Sequence, residues 1–324
     1  MEYVTLPHTD LRVSSLCLGT AEYGAGIAQT QAEALLDRFV EAGGNFLDTA
    51  AVYADWTSAG KGSSERAIAR WMQERRLQNL VIATKGAHPE LSSMGVPRSN
   101  RADIESDINT SLKNLGVETI DLWYLHRDDP SAPAGETLSI LEDQKRAGKL
   151  RFYAASNWRV SRLEEARRAA REMNATGFVA NQPMWSLALP DMTGSDPTIV
   201  AMNDAMLAWH EESGVAAIPY SSQANGFFQK VAEGRSVVNA LVAYETDLVR
   251  EANHSRFARL EALSRETGLS LTQLVLGYLR GHDFPVVPII GSRTMEQLND
   301  SLSGADVRLT SQQRKSLKGK ESLG

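Results

Sequence analysis

The fold is decided by a pattern best seen in residues 80–126, LVIATKGAHPELSSMGVPRSNRADIESDINTSLKNLGVETIDLWYLH. This stretch begins with the apolar run Leu80–Lys85 and ends with a second run, Asp121–His126, and each run predicts a strand. A segment with helical periodicity lies between them near 101–115, and Gly116 follows it, as glycine often does at a helix C-terminus. A strand, a helix and a strand in this order predict two parallel strands joined by a crossover helix.

The same unit recurs along the chain. The eight predicted strands are Leu16–Gly19, Asn45–Asp48, Leu80–Lys85, Asp121–His126, Leu150–Asn157, Phe178–Gln182, Val215–Tyr220 and Val286–Gly291. The predicted helices lie near 30–43, 64–75, 101–115, 136–147, 161–174, 197–213, 256–267 and 271–280. Eight such units favour an α/β fold of the closed (β/α)₈ TIM-barrel type over an open doubly wound sheet.

The turn after the first predicted strand argues against the open sheet. An open sheet that binds a dinucleotide is expected to carry a Gly-x-Gly-x-x-Gly turn there. Residues 19–26 read GTAEYGAG and lack that spacing. A glycine-rich barrel loop is therefore the better interpretation.

Two segments fall outside the alternation. Residues 3–14 predict a short hairpin before the barrel, in which 4–6 and 11–13 form the two strands. Residues 221–255 form a long connection after the seventh strand, and a connection of this length is usually a functional loop or carries helical insertions. With no internal repeat or linker, residues 1–324 are predicted to form one domain.

Composition excludes several classes of function. The 324 residues are 42% hydrophobic and 23% charged, which is typical of a globular protein. The 34 Lys and Arg against 40 Asp and Glu give a formal charge of −6, so nucleic acid is not expected as a partner. The single cysteine, Cys17, excludes an internal disulfide, and no secretory signal or long apolar run indicates export or a membrane span. The cytoplasm is the predicted location.

Functional side chains of a barrel enzyme lie at the C-terminal ends of its strands. In this chain those positions are all polar, and they are Asp48, Lys85, His126, Asn157, Gln182 and Tyr220. Tyr53 follows the second strand closely. The sequence therefore predicts a polar site at one mouth of the barrel.

Several motifs around these positions resemble the aldo-keto reductase superfamily. They are the stretches 45–50 (NFLDTA) with Tyr53, 83–85 (ATK), 122–126 (LWYLH), 156–157 (SN), 181–183 (NQP), 219–221 (PYS) and 288–293 (PIIGSR). Each fragment is weak evidence alone, but together and in the family's order they span nearly the whole chain. The resemblance implies a barrel oxidoreductase that reduces a carbonyl compound with a nicotinamide cofactor.

The resemblance also implies roles for four residues. Tyr53 is the general acid, Lys85 activates it, Asp48 holds Lys85, and His126 orients the carbonyl oxygen. A free tyrosine has a pKa of about 10 and is a poor acid at neutral pH. An ammonium ion about 4 Å away favours the phenolate by on the order of 4 kcal/mol, so we expect Lys85 to lower the pKa of Tyr53, with Asp48 offsetting part of the effect.

Each of these residues also has an ordinary structural interpretation. Asp48 alone could cap a turn, Lys85 could be a surface charge, and His126 could belong to an ion-pair loop with the charged residues 127–129. Tyr53 alone could be a packing residue. The functional interpretation rests on all four occurring together.

The cofactor site is implied by the resemblance in the same way. Asn157 and Gln182 would bind the nicotinamide carboxamide, with Ser156 beside them, because amides offer matched donors and acceptors. Tyr220 would stack on the nicotinamide ring. No metal ligands are predicted.

The other end of the cofactor would lie on two later segments. Ser221 opens a run that resembles the family's pyrophosphate loop. Gly291, Ser292 and Arg293 resemble its recognition site for the adenosine 2′-phosphate, where an arginine makes charge-assisted contacts. Gln297 would pack against adenine. NADP(H) is therefore expected to be preferred, with NAD(H) as the alternative.

Two positions depart from the family's pattern. Ser301 stands where an asparagine commonly contacts adenine, which puts that contact in doubt. Trp185 replaces a frequent tyrosine. Trp56 and His88 follow the second and third strands and are expected to border the substrate pocket. An indole beside polar groups would suit a sugar or another small polar carbonyl compound.

Three other functions remain open at this point. Lys85 could be the nucleophile of a Schiff-base aldolase. The barrel could instead be a regulatory module that senses cofactor, or an inactive barrel that has lost nicotinamide binding. The oligomeric state is not indicated by the sequence.

Overall fold

The structure is a computed structural model that describes residues 1–75, 79–235, 237 and 241–320. Its strands are β1 (Tyr3–Thr5), β2 (Arg12–Ser14), β3 (Cys17–Gly19), β4 (Phe46–Asp48), β5 (Val81–Gly86), β6 (Ile120–Leu125), β7 (Leu150–Ser156), β8 (Ala180–Gln182), β9 (Ala216–Ala217) and β10 (Ile289–Ile290). Its helices are α1 (Gln29–Glu41), α2 (Ser63–Arg75), α3 (Arg101–Leu115), α4 (Ala134–Arg146), α5 (Val160–Glu172), α6 (Asp204–Ser213), α7 (Phe227–Ala232), α8 (Arg250–Thr267), α9 (Leu271–Arg280), α10 (Met295–Ser303) and α11 (Ser311–Lys318).

Eight parallel strands form the predicted barrel. They are hydrogen-bonded in the order β10-β3-β4-β5-β6-β7-β8-β9. The ring closes because Ala217 in β9 forms a parallel bridge with Val286, in the segment that leads into β10. The (β/α)₈ fold is confirmed, and each predicted barrel strand coincides with an observed strand to within a few residues.

The N-terminal hairpin is also confirmed. β1 and β2 pair antiparallel, with Tyr3 opposite Ser14 and Thr5 opposite Arg12. The side chain of Asn45, at the start of β4, accepts from the Ser14 backbone N–H, so the hairpin lies across the N-terminal ends of the barrel strands. The opposite end is left for functional side chains.

The core consists of two apolar layers. One fills the barrel and includes Leu6 and Val13 from the hairpin region together with Cys17, Phe46 and Leu122 from the strands. The other lies between the strands and the surrounding helices. The thiol of Cys17 is fully buried in the inner layer, where burial raises its pKa well above the ordinary value.

Helix α3 shows why the crossover segments fold as helices. Asn100 caps its N-terminus by accepting a hydrogen bond from the Asp103 N–H at 3.0 Å. Ile104 and Ile108 recur at helical spacing and are fully buried. The helix ends at Gly116, whose φ of 67° lies in the left-handed region that glycine adopts without strain.

The connection after β9 carries helices. Of the two structures expected for this segment, a functional loop or helical insertions, the helical insertions are observed. It contains a 3₁₀ turn at Ala224–Gly226, then α7, and leads into α8; residues 236 and 238–240 of this expected segment lie outside the described part. Helices α10 and α11 were not predicted from the sequence, and the bounds of α7 were not predicted either. No helix among the described residues is both long and apolar enough to cross a membrane.

Candidate active site

The C-terminal ends of β4 to β8 bring the predicted polar residues to one mouth. Asp48 is the last residue of β4, Lys85 lies near the end of β5, and Gln182 is the last residue of β8. In the strand register Lys85 lies opposite Tyr124, and His126 follows β6 directly. Strand length and register therefore position these side chains.

Lys85 is a fully buried residue at the centre of a polar cluster. Its Nζ lies 2.6 Å from Asp48 Oδ1, 2.8 Å from the carbonyl oxygen of Thr49 and 2.9 Å from the Tyr53 hydroxyl. An ammonium group has three N–H donors, so all three are used. Burial alone would lower the pKa of Lys85, but the charge of Asp48, together with Tyr53 and the hydrogen bonds to both, offsets it and the pKa stays above its ordinary value.

Tyr53 is brought against the ammonium group as predicted, but the predicted direction of its pKa shift is wrong. Burial raises the pKa of Tyr53, and the opposing field of Lys85 does not overcome this because the charge of Asp48 also favours the protonated phenol. Charge considerations alone missed the desolvation of the hydroxyl. The phenol therefore stays protonated at neutral pH.

Asp48 has a second partner across the barrel. Gln182 Nε2 donates to Asp48 Oδ2 at 2.9 Å, while Ser156 Oγ donates to the carbonyl oxygen of Gln182 at 3.0 Å. One hydrogen of the Gln182 amide is thus committed to Asp48.

Two histidines lie beside Tyr53. The ring of His126 is 6.1 Å from the Tyr53 ring, and the ring of His88 is 4.8 Å from that of His126. Burial holds the pKa of His126 well below its ordinary value and lowers that of His88 to about 4. Both imidazoles are therefore neutral at pH 7.

His88 Nδ1 lies 2.6 Å from the carbonyl oxygen of Pro89. A carbonyl oxygen only accepts, so Nδ1 carries the hydrogen and Nε2 is the acceptor. His88, one of the two expected substrate residues, thus lies next to the cluster around Lys85. Trp56, the other expected substrate residue, lies in the turn after β4 and is 57% exposed. The ring contacts found at this site among the described residues are those between Tyr53, His126 and His88.

Asn157 joins several parts of the mouth. Its Oδ1 accepts from the Tyr220 hydroxyl at 2.8 Å and from the Val200 N–H at 3.1 Å. Its Nδ2 donates to the carbonyl oxygen of His126 at 3.2 Å and to Ser156 Oγ at 3.1 Å. The side-chain amide therefore has each of its donors and acceptor positions engaged within the protein.

A second group of predicted residues lies after β10. Ser292 Oγ is buried and has no hydrogen-bond partner among the described residues. A Cβ built on Gly291 would meet nothing within 4 Å, so there is open space beside it. The backbone N–H of Arg293 donates to Gln297 Oε1 at 2.8 Å. The guanidinium of Arg293 pairs with the carboxylate of Glu22.

The start of the long connection packs beside this group. Ser221 has a φ of 52°, which turns the chain at the end of the barrel. Ser222 donates to the carbonyl oxygen of Ile289, and Gln223 Nε2 lies 3.2 Å from Ser301 Oγ. Ser301, the departure noted in the sequence, is thus bonded within the protein.

Arg127 was missed as a residue of the site. Its Nε donates to Thr198 Oγ1 at 2.8 Å and its Nη2 lies 3.6 Å from Asp196 Oδ2. These contacts hold the segment after β8 over the mouth, and the charge of Arg127 helps keep His88 and His126 neutral. Its position directly after His126 was the available signal.

Trp185, the other departure from the family's pattern, is buried and packs against His282.

Comparison with known proteins gives a consistent family. The model of the Aldo/keto reductase family matches residues 15–322. The "uncharacterized oxidoreductase YrpG" of Bacillus subtilis is 29% identical over 315 residues, covering 95% of this chain and 92% of that protein. The norsolorinic acid reductase stcV of Emericella nidulans is 28% identical, covering 96% and 79%.

Two further matches extend this comparison. The aryl-alcohol dehydrogenase [NADP(+)] of Phanerodontia chrysosporium is 28% identical, covering 95% of this chain and 82% of that protein. The crystal structure of a thermostable aldo-keto reductase with the inhibitor epalrestat has a TM-score of 0.73 at 22% identity, covering 98% and 99% of the two chains. The structural likeness supports the barrel fold.

Proposed function

The chain belongs to the aldo/keto reductase family and is an NAD(P)H-dependent oxidoreductase, and from that premise we propose that it reduces an aldehyde or ketone with NADPH, using Tyr53 as the general acid. The reverse reaction oxidises the alcohol. The observation that carries the proposal is the contact of 2.9 Å between the Tyr53 hydroxyl and the ammonium group of Lys85.

In this proposal Tyr53 moves the proton. A nicotinamide cofactor held at this mouth would supply the hydride for the carbonyl carbon. The Tyr53 hydroxyl gives its proton to the carbonyl oxygen as negative charge develops there. Lys85 already donates to the same phenolic oxygen, so it stabilises the phenolate that remains. Asp48 keeps Lys85 charged and in place.

His126 positions the carbonyl oxygen. A neutral imidazole can donate one N–H to that oxygen without placing a second full charge beside Lys85. Such a donor stabilises the developing charge most when it is already fixed before reaction. Asn157 supports this role, because its amide holds the backbone of His126.

The chain's own residues fit a nicotinamide cofactor. The amides of Gln182 and Asn157 are both engaged within the protein, so each exchanges an internal bond to bind the carboxamide. Tyr220 lies beside them for the nicotinamide ring. At the other end Ser292 offers a buried hydroxyl that has no partner among the described residues, close to the N-terminus of α10, where backbone N–H groups favour phosphate.

The preference for NADPH rests on the phosphate end. We assign Ser221 to the pyrophosphate and Gly291, Ser292 and Arg293 to the 2′-phosphate, with Gln297 near adenine. Arg293 suits a phosphate because guanidinium binds such anions in a bidentate manner. The name of one relative, aryl-alcohol dehydrogenase [NADP(+)], agrees with this assignment.

The protonation of Lys85 argues against the aldolase alternative. A Schiff base requires a free amine lone pair. In this chain the pKa of Lys85 is raised by Asp48, and its three donors are engaged. Lys85 therefore supports an acid–base role better than a nucleophilic one.

The decisive experiment compares Tyr53→Phe with the wild type in NADPH consumption over a panel of carbonyl compounds. We expect turnover to fall by about 10²- to 10⁴-fold, because only the acid's proton is removed, while NADPH binding stays unchanged. Tyr3→Phe is the matched control, since its hydroxyl bonds Gly43 at the other end of the barrel. Equal turnover in Tyr53→Phe and wild type would refute the proposal.

The same panel tests the substrate class. It contains aldoses, simple aromatic aldehydes and a steroid ketone. We propose a small polar carbonyl compound, because His88 presents a neutral acceptor beside His126. A steroid preferred over every small aldehyde would contradict this class, and NADPH binding without turnover of any compound would favour the regulatory module.

A further inference from the structure

One ion pair joins the first and the last loop of the barrel. Glu22 lies in the turn after β3, and Arg293 lies just after β10; these two strands are neighbours, with Leu18 opposite Ile290. The guanidinium of Arg293 contacts the carboxylate of Glu22. The side chain of Arg293 is 64% exposed and that of Glu22 is 38% exposed.

Hydrogen bonds hold the backbone of Arg293 in place, while the paired side chains are partly exposed. The Arg293 N–H donates to Gln297 Oε1 at 2.8 Å, and Gln31 Nε2 donates to the Arg293 carbonyl oxygen at 2.6 Å. In the observed conformer the carboxylate of Glu22 occupies the space that a Cβ at position 26 would fill, and residue 26 is a glycine. The loop therefore accommodates a carboxylate directly beside Arg293.

We propose that Glu22 competes with the cofactor's 2′-phosphate for Arg293 and so limits the preference of this protein for NADPH over NADH. This inference rests on the proposed function, because it takes Arg293 as the 2′-phosphate ligand. Binding of the phosphate must break the Glu22–Arg293 pair. It also brings the carboxylate of Glu22 and the phosphate, which are both negative groups, close together.

NADH carries a 2′-hydroxyl in place of the phosphate and meets neither cost. A carboxylate is a suitable acceptor for a ribose hydroxyl, whereas an arginine suits a phosphate. Arg293 and Glu22 lie side by side, so the two loops offer the guanidinium to the phosphate of NADPH and the carboxylate to the ribose hydroxyl of NADH. Removal of the carboxylate should therefore favour only the phosphorylated form.

The test is isothermal titration calorimetry with NADP⁺ and NAD⁺, two ligands that differ only by the 2′-phosphate. The proteins are wild type, Glu22→Gln and the control Glu41→Gln. Glu41 is an exposed residue at the end of α1 that faces the other end of the barrel, so its substitution removes the same charge at a distance. Both substitutions lie on the surface and should leave the fold intact.

We expect Glu22→Gln to bind NADP⁺ about three- to fivefold more tightly, the scale set by an exposed ion pair. Its affinity for NAD⁺ should stay equal or become weaker, and Glu41→Gln should match the wild type with both ligands. The gain should disappear when Glu22→Gln is combined with Arg293→Ala. No gain for NADP⁺, or an equal gain for both ligands, would overturn the inference.

A further variant separates the two levels of the proposal. If Arg293→Ala weakens NADP⁺ binding while Glu22→Gln has no effect, only the competition is wrong. If Arg293→Ala changes neither affinity, the assignment of the 2′-phosphate in the proposed function is wrong as well.

Discussion

Two ion pairs at the same mouth of the barrel behave as opposites. Lys85 and Asp48 are in contact at 2.6 Å with side chains 0% and 2% exposed. Arg293 and Glu22 form a pair whose side chains are 64% and 38% exposed. The first pair has further partners in Thr49 and Gln182, whereas the second lies between two loops in contact with water.

The difference shows how burial decides what a charge pair can do. Separating a buried pair leaves an uncompensated charge in a medium that solvates it poorly, so the pair is permanent. An exposed pair is solvated on both sides and contributes little, so a ligand can replace one partner. The buried pair suits a fixed proton donor, and the exposed pair suits an exchangeable binding site.

The largest expected effect is on folding stability. Lys85→Met should lower the free energy of unfolding by about 3–5 kcal/mol, because Asp48 is left buried without its cation. Arg293→Met, which removes the exposed cation, should lower it by less than about 1 kcal/mol. Urea denaturation of both variants measures the contrast, and equal losses would break the comparison.

A second variant sharpens this result. Combining Lys85→Met with Asp48→Asn should recover part of the lost stability, because a neutral amide replaces the uncompensated carboxylate and can still bond Gln182. Turnover should stay as low as in Lys85→Met. No recovery would mean that packing of the lysine stem, and not charge, determines the loss.

The buried His210 extends the comparison to a titratable group without an acidic partner. Its Nδ1 donates to the Val215 carbonyl oxygen and its Nε2 accepts from Asn181, an arrangement that requires the neutral ring. Burial lowers its pKa from 6.5 to about 4. The unfolded chain therefore binds a proton at higher pH than the folded chain.

The sign of the pH dependence follows. The stability that the neutral ring provides is complete above pH 6.5 and is lost as the pH falls toward about 4. The loss should be about 1.4 kcal/mol per pH unit for this one histidine. Denaturant titrations at several pH values in this range give the free energy of unfolding, and its slope against pH should be smaller for His210→Gln than for the wild type. An unchanged slope would contradict the prediction.

The smallest expected effect is that of salt, which should change cofactor binding more than the chemical step. Raising the ionic strength from about 0.1 to 1 M shortens the screening length from about 10 to 3 Å. The Kd for NADPH should rise several-fold, because Arg293 is exposed. The kcat at saturating ligands should change by less than about twofold, since Lys85 and Asp48 are buried. A kcat that falls in parallel with the affinity for NADPH would contradict the contrast between the exposed and the buried ion pair.

The residues of the site could be predicted from sequence because they follow strands. Apolar runs mark the strands, and parallel strands bring their ends to one mouth, so Asp48, Lys85 and His126 were found together. The bond from Gln182 to Asp48 crosses the barrel between residues 134 positions apart, and no local pattern indicates it. The pair of Glu22 and Arg293, separated by 271 positions, was missed for the same reason.

The direction of the Tyr53 pKa was missed for a different reason. Charge is visible in the sequence, but the degree of desolvation is a property of the folded protein. The helices α10 and α11 were missed because they are short, although Thr294 and Thr310 each precede a glutamine three residues on and do cap them. A capping pattern was the available signal.

The solitary thiol inside the barrel has a practical consequence. Cys17 lies on β3 with no exposed surface, and a thiol with a raised pKa reacts slowly even when it is reached. Alkylating reagents should therefore modify the native protein only when the strand ring opens. The rate of single-site labelling would report that opening directly, without any engineered probe.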